Sequence, residues 1–171
     1  RLRVAINLEF AQLDADNVTL SWLVERFEDA PVDLLLELTE RSSLDWTRAH
    51  EDVARGLRRQ GIELAIDDFG AGYATYHFLD AWDWSLVKID RGLIRAHDRY
   101  GQLLLRHVAS LLSDIGTRSV AEGIETAEHL QLVTDLGIDY AQGYFLGRPM
   151  PATTILDLAA TGWLTNPLAQ A

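Results

Sequence analysis

Six polar residues lie at or near the carboxyl ends of separate apolar runs in this 171-residue sequence: Asn7, Glu37, Asp67, Lys88, Glu122 and Gln142. A single acidic residue in such a place usually caps a helix or sits in a solvated loop. Carboxylates that converge from several strands would instead repel one another and be costly to desolvate. A hard cation such as Mg²⁺ or Mn²⁺ relieves that cost, because it prefers oxygen ligands. The set therefore indicates a divalent metal site.

Zinc fits this sequence poorly. Cysteine is absent, which excludes disulfides and thiolate metal sites. The histidines fall in helical or loop stretches instead of at strand ends, and we interpret them as surface or packing residues: His50, His77, His97, His107 and His129.

Short apolar runs alternate with longer segments of helical spacing. The runs predict strands over residues 2–8, 32–39, 62–67, 86–89, 119–122 and 140–144. Leu104, Val108, Leu111 and Ile115 form one of the helical stripes, and Thr126 is expected to cap another helix. Repetition of strand and helix with continuous apolar strands predicts an α/β fold in which helices cover a parallel sheet.

Side-chain alternation decides which polar residues share a face of that sheet. In the first run the aliphatic residues at even positions share one face, which leaves Ala5 and Asn7 on the other. The same alternation sets Glu37 and Asp67 opposite the aliphatic residues of their own runs. Because helices cover the outside of a barrel, Asn7, Glu37 and Asp67 are expected to point inward at its carboxyl rim, where catalytic residues of such barrels lie.

The number of strand–helix units suits two architectures. Six units fit either an open doubly wound sheet or most of a (β/α)₈ barrel. A complete barrel usually takes about 250 residues, with about 200 near the lower limit, so this chain is about two units short. No linker or low-complexity tract divides the sequence, and we expect residues 1–171 to form one partial domain.

Composition limits the classes of partner. The net charge of −11 gives the chain no general attraction for nucleic acid polymers or anionic lipid. No apolar run approaches the roughly 18 residues needed to cross a bilayer. These features, with the absence of cysteine, lead us to expect a cytoplasmic protein without a membrane segment.

Six short motifs together resemble the signatures of EAL domains, which are metal-dependent phosphodiesterases specific for cyclic di-GMP. They are INL at 6–8, ELTE at 37–40, DDFGAGY at 67–73, KID at 88–90, AEGIE at 121–125 and QGYFLGRP at 142–149. Each motif alone would be weak, but their order is highly specific. The resemblance implies a TIM-like (β/α)₈ barrel lacking its first two strands. It also implies hydrolysis of cyclic di-GMP to the linear dinucleotide and a site for two divalent cations, Mg²⁺ or Mn²⁺.

The metal ligands follow from the resemblance, position by position. Asn7, Glu37 and Asp67 would bind the first ion, and Asp67 with Asp68 the second. Glu122 matches a residue that is interpreted either as a general base or as a ligand of the second metal, and these roles are compatible.

The other roles implied by the resemblance concern water and the loops. Lys88 would orient the attacking water and offset developing charge. Glu125 and Gln142 would bind water or support the metal ligands. Glu40 matches a glutamate that anchors the loop after Asp68, a loop that couples the site to a dimer interface in the family.

The sequence also departs from the family pattern. The Glu-Ala-Leu motif of the family lies on a strand upstream of the Asn7 strand, so one metal ligand and one phosphate contact are missing from this chain. We therefore expect the chain alone to be a weak or inactive enzyme. The alternative is a catalytically impaired EAL-like module that binds cyclic di-GMP or a protein. A third hypothesis is a sugar-phosphate barrel enzyme. It predicts a glycine-rich phosphate-binding loop after the last strands, and Gly143 and Gly147 match that pattern poorly.

A barrel without two strands leaves two open edges, along residues 2–8 and 140–144, and unpaired edges invite another chain. Val4 and Ile6 are expected on an uncovered face. We therefore expect a homodimer or other homo-oligomer. The segment 73–84 is a second candidate interface, and its aromatic residues could equally pack in the core.

Overall fold

The computed structural model describes residues 2–27, 32–39, 46–71 and 76–160. Six strands form one sheet and pair in parallel in chain order, from β1 to β6. The sheet curls into a partial TIM-like barrel, which confirms the predicted fold class. The strands are β1 Leu2–Leu8, β2 Val32–Thr39, β3 Glu63–Phe69, β4 Leu86–Ile89, β5 Arg118–Ala121 and β6 Tyr140–Ala141.

Helices follow the strands. No helix in the described ranges is long and apolar enough to cross a membrane. A 3₁₀ helix spans Phe10–Gln12, and the α-helices are α1 Val18–Phe27, α2 Arg48–Arg59, α3 Tyr76–Ala81, α4 Arg91–Ile94, α5 Arg99–Asp114, α6 Ala127–Asp135 and α7 Ala152–Ala160.

Some predicted boundaries were wrong at the carboxyl edge of the sheet. The third strand continues through Asp68 to Phe69, and the fifth ends one residue before Glu122. The sixth contains only Tyr140 and Ala141, so Gln142 follows it directly. The hydrogen bonds of this edge run into loops: the amide of Glu122 donates to the carbonyl of Ile89 (3.1 Å), and that of Gln142 to Ala121 (2.8 Å). Backbone hydrogen bonds between neighbouring segments therefore continue past the ends of these short strands, in the loops that follow them.

The helix patterns gave mixed results. Thr126 caps α6 as predicted, since its hydroxyl accepts a hydrogen bond from the amide of His129 at 3.2 Å. The predicted stripe on α5 was right at Val108 and wrong at both of its ends. Leu104 and Ile115 are exposed, and the buried face of α5 is instead formed by Leu105, Val108, Ala109 and Leu112.

The two faces of the sheet carry different cores. The larger core lies between the sheet and the helices, and it contains Leu36, Ile66, Val87 and Ile89. The opposite, inner face carries a separate apolar cluster with one residue from each of four neighbouring strands. We call it the inner cluster: Leu35, Ala65, Leu86 and Val120.

This packing corrects the expectation of an uncovered face for Val4 and Ile6, and it supports core packing as the alternative for the second candidate interface. Ile6 packs against the larger core and Val4 is half-buried, whereas the exposed face of β1 carries Arg3 and Asn7. In the second candidate interface, Phe78 and Trp84 are buried in the core, with ring centroids 4.6 Å apart. The described aromatic residues there thus pack mainly inside the domain.

Candidate active site

The inner cluster fixes the position of four polar side chains. Side chains on a strand alternate between faces, so a residue two positions further along shares the face of its predecessor. Two positions beyond the inner cluster lie Glu37, Asp67, Lys88 and Glu122, the last just past the end of β5. These side chains therefore form a polar layer above an apolar floor, at the carboxyl edge of the sheet.

Lys88 lies at the centre of this layer. Its ammonium nitrogen is 2.9 Å from Oε2 of Glu37, 2.7 Å from Oδ1 of Asp67 and 2.7 Å from Oε1 of Glu122. Its residue exposure is only 7%. Lys88 is also the only lysine in the sequence. An ammonium has three N–H donors, and here each can meet a different carboxylate.

Burial and charge act in opposite directions on these groups. Burial raises the pKa of Glu37 and of Glu122, and Lys88 opposes the rise in each case. Burial alone would lower the pKa of Lys88, but its hydrogen bonds to Asp67, Glu122 and Glu37 raise that pKa overall. Lys88 therefore carries its positive charge throughout the neutral range.

Asp68 joins the site through an irregularity in β3. The register between β3 and β4 shifts between Ile66 and Phe69, and Asp68 has a φ of 56°. Consecutive residues of a regular strand point to opposite faces, but a bulge with one residue in the left-handed region changes that direction. Asp and Asn adopt this region more readily than most residues. The bulge thus lets two adjacent aspartates face the same mouth.

A second group of carboxylates in the mouth could hold a cation. Asp67, Asp68 and Glu122 each offer an oxygen, and the three oxygens lie within 4.8 Å of one another. In the described ranges no histidine belongs to this group, so the donor set suits Mg²⁺ or Mn²⁺. Within the same ranges, Lys88 is the only basic residue paired with Asp67 or Glu122. The single positive charge of Lys88 does not balance the carboxylates of the mouth, so negative charge remains that a bound cation could offset.

The other predicted site residues lie around this centre. Asn7 is directly opposite Glu37 in the register of β1 and β2, on the exposed face of β1. Gln142 and Glu125 line a neighbouring pocket, and Glu125 forms an ion pair with Arg95. Glu40 lies outside the described residues. The structure thus brings Glu37, Asp67, Asp68, Lys88 and Glu122 together and leaves Glu125 at the rim.

Sequence reasoning missed two basic residues of the mouth. Arg91 and Arg95 line the pocket that Asp68 and Glu122 also line. A signal was present, because both follow the KID strand directly, and a short helix after a strand places its residues at the rim. Asp90 caps that helix by accepting a hydrogen bond from the amide of Gly92 at 2.8 Å.

Known proteins share both the sequence pattern and the fold of this chain. The pattern of the EAL domain matches residues 1–149. The bifunctional diguanylate cyclase/cyclic di-GMP phosphodiesterase MucR of Pseudomonas aeruginosa is 35% identical over 159 residues, which is 90% of this chain and 23% of MucR. The cyclic di-GMP phosphodiesterase PdeL of Escherichia coli is 32% identical over 136 residues, which is 78% of this chain and 38% of PdeL. The chain thus spans well under half the length of these relatives.

Solved structures give the same result. The MucR phosphodiesterase in complex with c-di-GMP superposes with a TM-score of 0.77 at 32% identity, covering 90% of this chain and 64% of that one. BlrP1 of Klebsiella pneumoniae, in calcium and manganese complexes with the cyclic dinucleotide, has a TM-score of 0.76 at 32% identity. That match covers 86% of this chain and 39% of BlrP1.

The contacts of Lys88 lead to a prediction about stability. In metal-free buffer at neutral pH, Lys88→Met leaves three partly buried carboxylates without their shared cation. We expect the free energy of unfolding to fall by about 3–5 kcal/mol, as when one partner of a buried ion pair is removed. Added Mg²⁺ or Mn²⁺ should restore stability in the variant more than it raises that of the parent. Urea denaturation with and without EDTA measures both effects.

Arg106→Met is the matched control, because Arg106 is an exposed basic residue on α5. It should change the free energy of unfolding by less than about 0.5 kcal/mol. A Lys88→Met protein as stable as this control in EDTA would contradict the central position of the ammonium.

Proposed function

Because the chain belongs to the EAL domain family, we propose that it carries out the metal-dependent hydrolysis of cyclic di-GMP to the linear dinucleotide. The observation that carries this proposal is the convergence of the Asp67, Asp68 and Glu122 carboxylates, of which Asp67 and Glu122 also pair with the ammonium of Lys88. Degenerate members of the family lose acidic ligands, the lysine or the catalytic glutamate, and this chain retains those that fall within it. The function is proposed for residues 1–171 as a partial EAL domain.

The donor set supports two divalent ions, Mg²⁺ or Mn²⁺. Asn7, Glu37 and Asp67 would hold one ion, and Asp67, Asp68 and Glu122 the other. When bound, such a pair offsets the charge of the phosphodiester and makes water more acidic. Related BlrP1 forms its cyclic dinucleotide complexes with calcium or manganese, which supports hard cations as the class.

The chain's own residues supply positioning and proton transfer. During hydrolysis the oxygen of water bonds to phosphorus, one ester P–O bond breaks, and the released oxygen takes up a proton. Glu122 accepts a proton from the water, and burial helps because it raises the pKa of this carboxyl toward neutrality. Lys88 orients the water and offsets the charge that develops on phosphate oxygens. Gln142 and Glu125, at the rim, bind water, and the role expected of Glu40 stays a prediction because this residue lies outside the described ranges.

Turnover tests the role of Glu122. Glu122→Gln removes the proton acceptor and keeps the shape of the side chain, so the single-turnover rate with Mn²⁺ should fall about 10²–10⁴-fold. Excess protein over cyclic di-GMP makes a slow reaction measurable, and chromatography resolves the linear product. Glu128→Gln, at an exposed carboxyl on α6, is the control and should keep the parent rate.

Two outcomes would contradict different parts of this proposal. Retention of most of the rate in Glu122→Gln would remove this residue from proton transfer. A parent protein that binds cyclic di-GMP and Mn²⁺ but gives no product would support the impaired binding module instead. The sugar-phosphate barrel hypothesis has no support, because the EAL domain pattern matches residues 1–149.

We also propose that the protein forms a homodimer. The outer edge of β1 has no partner strand within the described ranges, and its seven residues offer unpaired backbone groups. Sedimentation equilibrium at micromolar concentration should give twice the 19.2 kDa mass of the chain. A single species at the monomer mass would contradict the proposal. The cytoplasmic location expected from the sequence stays a prediction.

A further inference from the structure

A pocket of about 460 Å³ opens beside the carboxylate group. Its lining includes Asp68 and Glu122, which the proposed reaction uses. It also includes Arg91 and Arg95, for which the proposed reaction has no role. The pocket therefore places two guanidinium groups among the carboxylates of the mouth.

The backbone holds the two arginines close to Glu122. Arg91 begins α4 and Arg95 follows its last residue, so they are four positions apart and lie on the same side of the helix. A Cβ built on Gly123 would be 2.5 Å from the Cβ of Arg91, and Gly123 has a φ of 69°. Only glycine suits both the left-handed backbone and this close approach. α4 is thus packed against the segment that carries Glu122.

Both guanidinium groups have unused hydrogen-bond donors. Arg95 pairs with Glu125, yet its Nε is buried and finds no hydrogen-bond acceptor in the described part of the chain. Arg91 is exposed and forms no ion pair with any described residue. Each could donate to an anion in the pocket without breaking the α4 structure.

We propose that Arg91 and Arg95 bind the second phosphate of the cyclic dinucleotide, the one that is not cleaved. This inference rests on the proposed function. Cyclic di-GMP carries two phosphodiesters in one ring, so a phosphate at the carboxylate group leaves another nearby. The chain has a net charge of −11, and an anionic ligand needs local positive charge to enter. Guanidinium groups match phosphate oxygens through paired N–H donors.

The competing role for Arg95 is to hold Glu125 in place. In that case its loss would change the rate and leave ligand affinity intact. As substrate-positioning residues, Arg91 and Arg95 would instead act on affinity, so their variants should raise KM with little change in kcat.

Calorimetric binding of cyclic di-GMP in Ca²⁺ tests the proposal, since related BlrP1 forms a complex with the dinucleotide and calcium. We expect Arg91→Met and Arg95→Met each to raise the Kd about tenfold, the effect of losing one hydrogen bond between charged groups. Arg106→Met removes one positive charge outside the pocket and should change the Kd less than about twofold. Thermal unfolding of each variant checks that the fold is retained. If Arg95→Met is unstable, Arg91→Met still tests the proposal, because Arg91 is exposed and forms no ion pair with any described residue.

The outcomes separate this inference from the proposed function. Parent protein that fails to bind cyclic di-GMP would contradict the proposed function itself. Parent protein that binds, together with Arg91→Met and Arg95→Met within twofold of its Kd, would overturn the role of the arginines alone. An equal loss in Arg106→Met would assign the effect to overall charge and would also overturn it.

Discussion

The buried ammonium of Lys88 is the interaction on which the site depends. Three carboxylates from separate parts of the sheet meet at one nitrogen, at 2.7 to 2.9 Å. Arginine could not replace it, because a planar guanidinium directs its donors in a fixed fork while the ammonium is a compact point charge. Of the 15 lysine and arginine residues in the chain, only this one is lysine, which agrees with the geometric demand of the site.

The strands position this interaction by simple alternation. The inner cluster forms an apolar floor, and below it Glu63 bonds Arg118 at 3.0 Å and pairs with Arg3 at 3.3 Å. The interior of the partial barrel is therefore layered, with ionic groups above and below an apolar level. The floor lies directly beneath Glu37 and Glu122, and burial raises the pKa of both carboxyls.

The periodicity of apolar residues in the sequence predicted much of this arrangement. It failed where contacts between distant parts of the chain determine the direction of a side chain. Strand alternation placed Asn7, Glu37 and Asp67 on one face, as the structure does. The direction of Asp68 could not be predicted, because a bulge depends on the pairing of β3 with β4. The buried face of α5 was also missed, since a run of consecutive leucines fits neighbouring helical registers equally well until the sheet selects Leu105.

The most direct test of the account uses the fact that Lys88 is the only lysine. Protein labelled with ¹⁵N in the lysine side chain should give one ammonium signal in an NMR spectrum. We expect its protons to exchange slowly with water in metal-free buffer, and the signal to shift saturably as Mg²⁺ is added. The shift should be lost in Asp67→Asn. A rapidly exchanging ammonium that does not respond to Mg²⁺ would contradict the account.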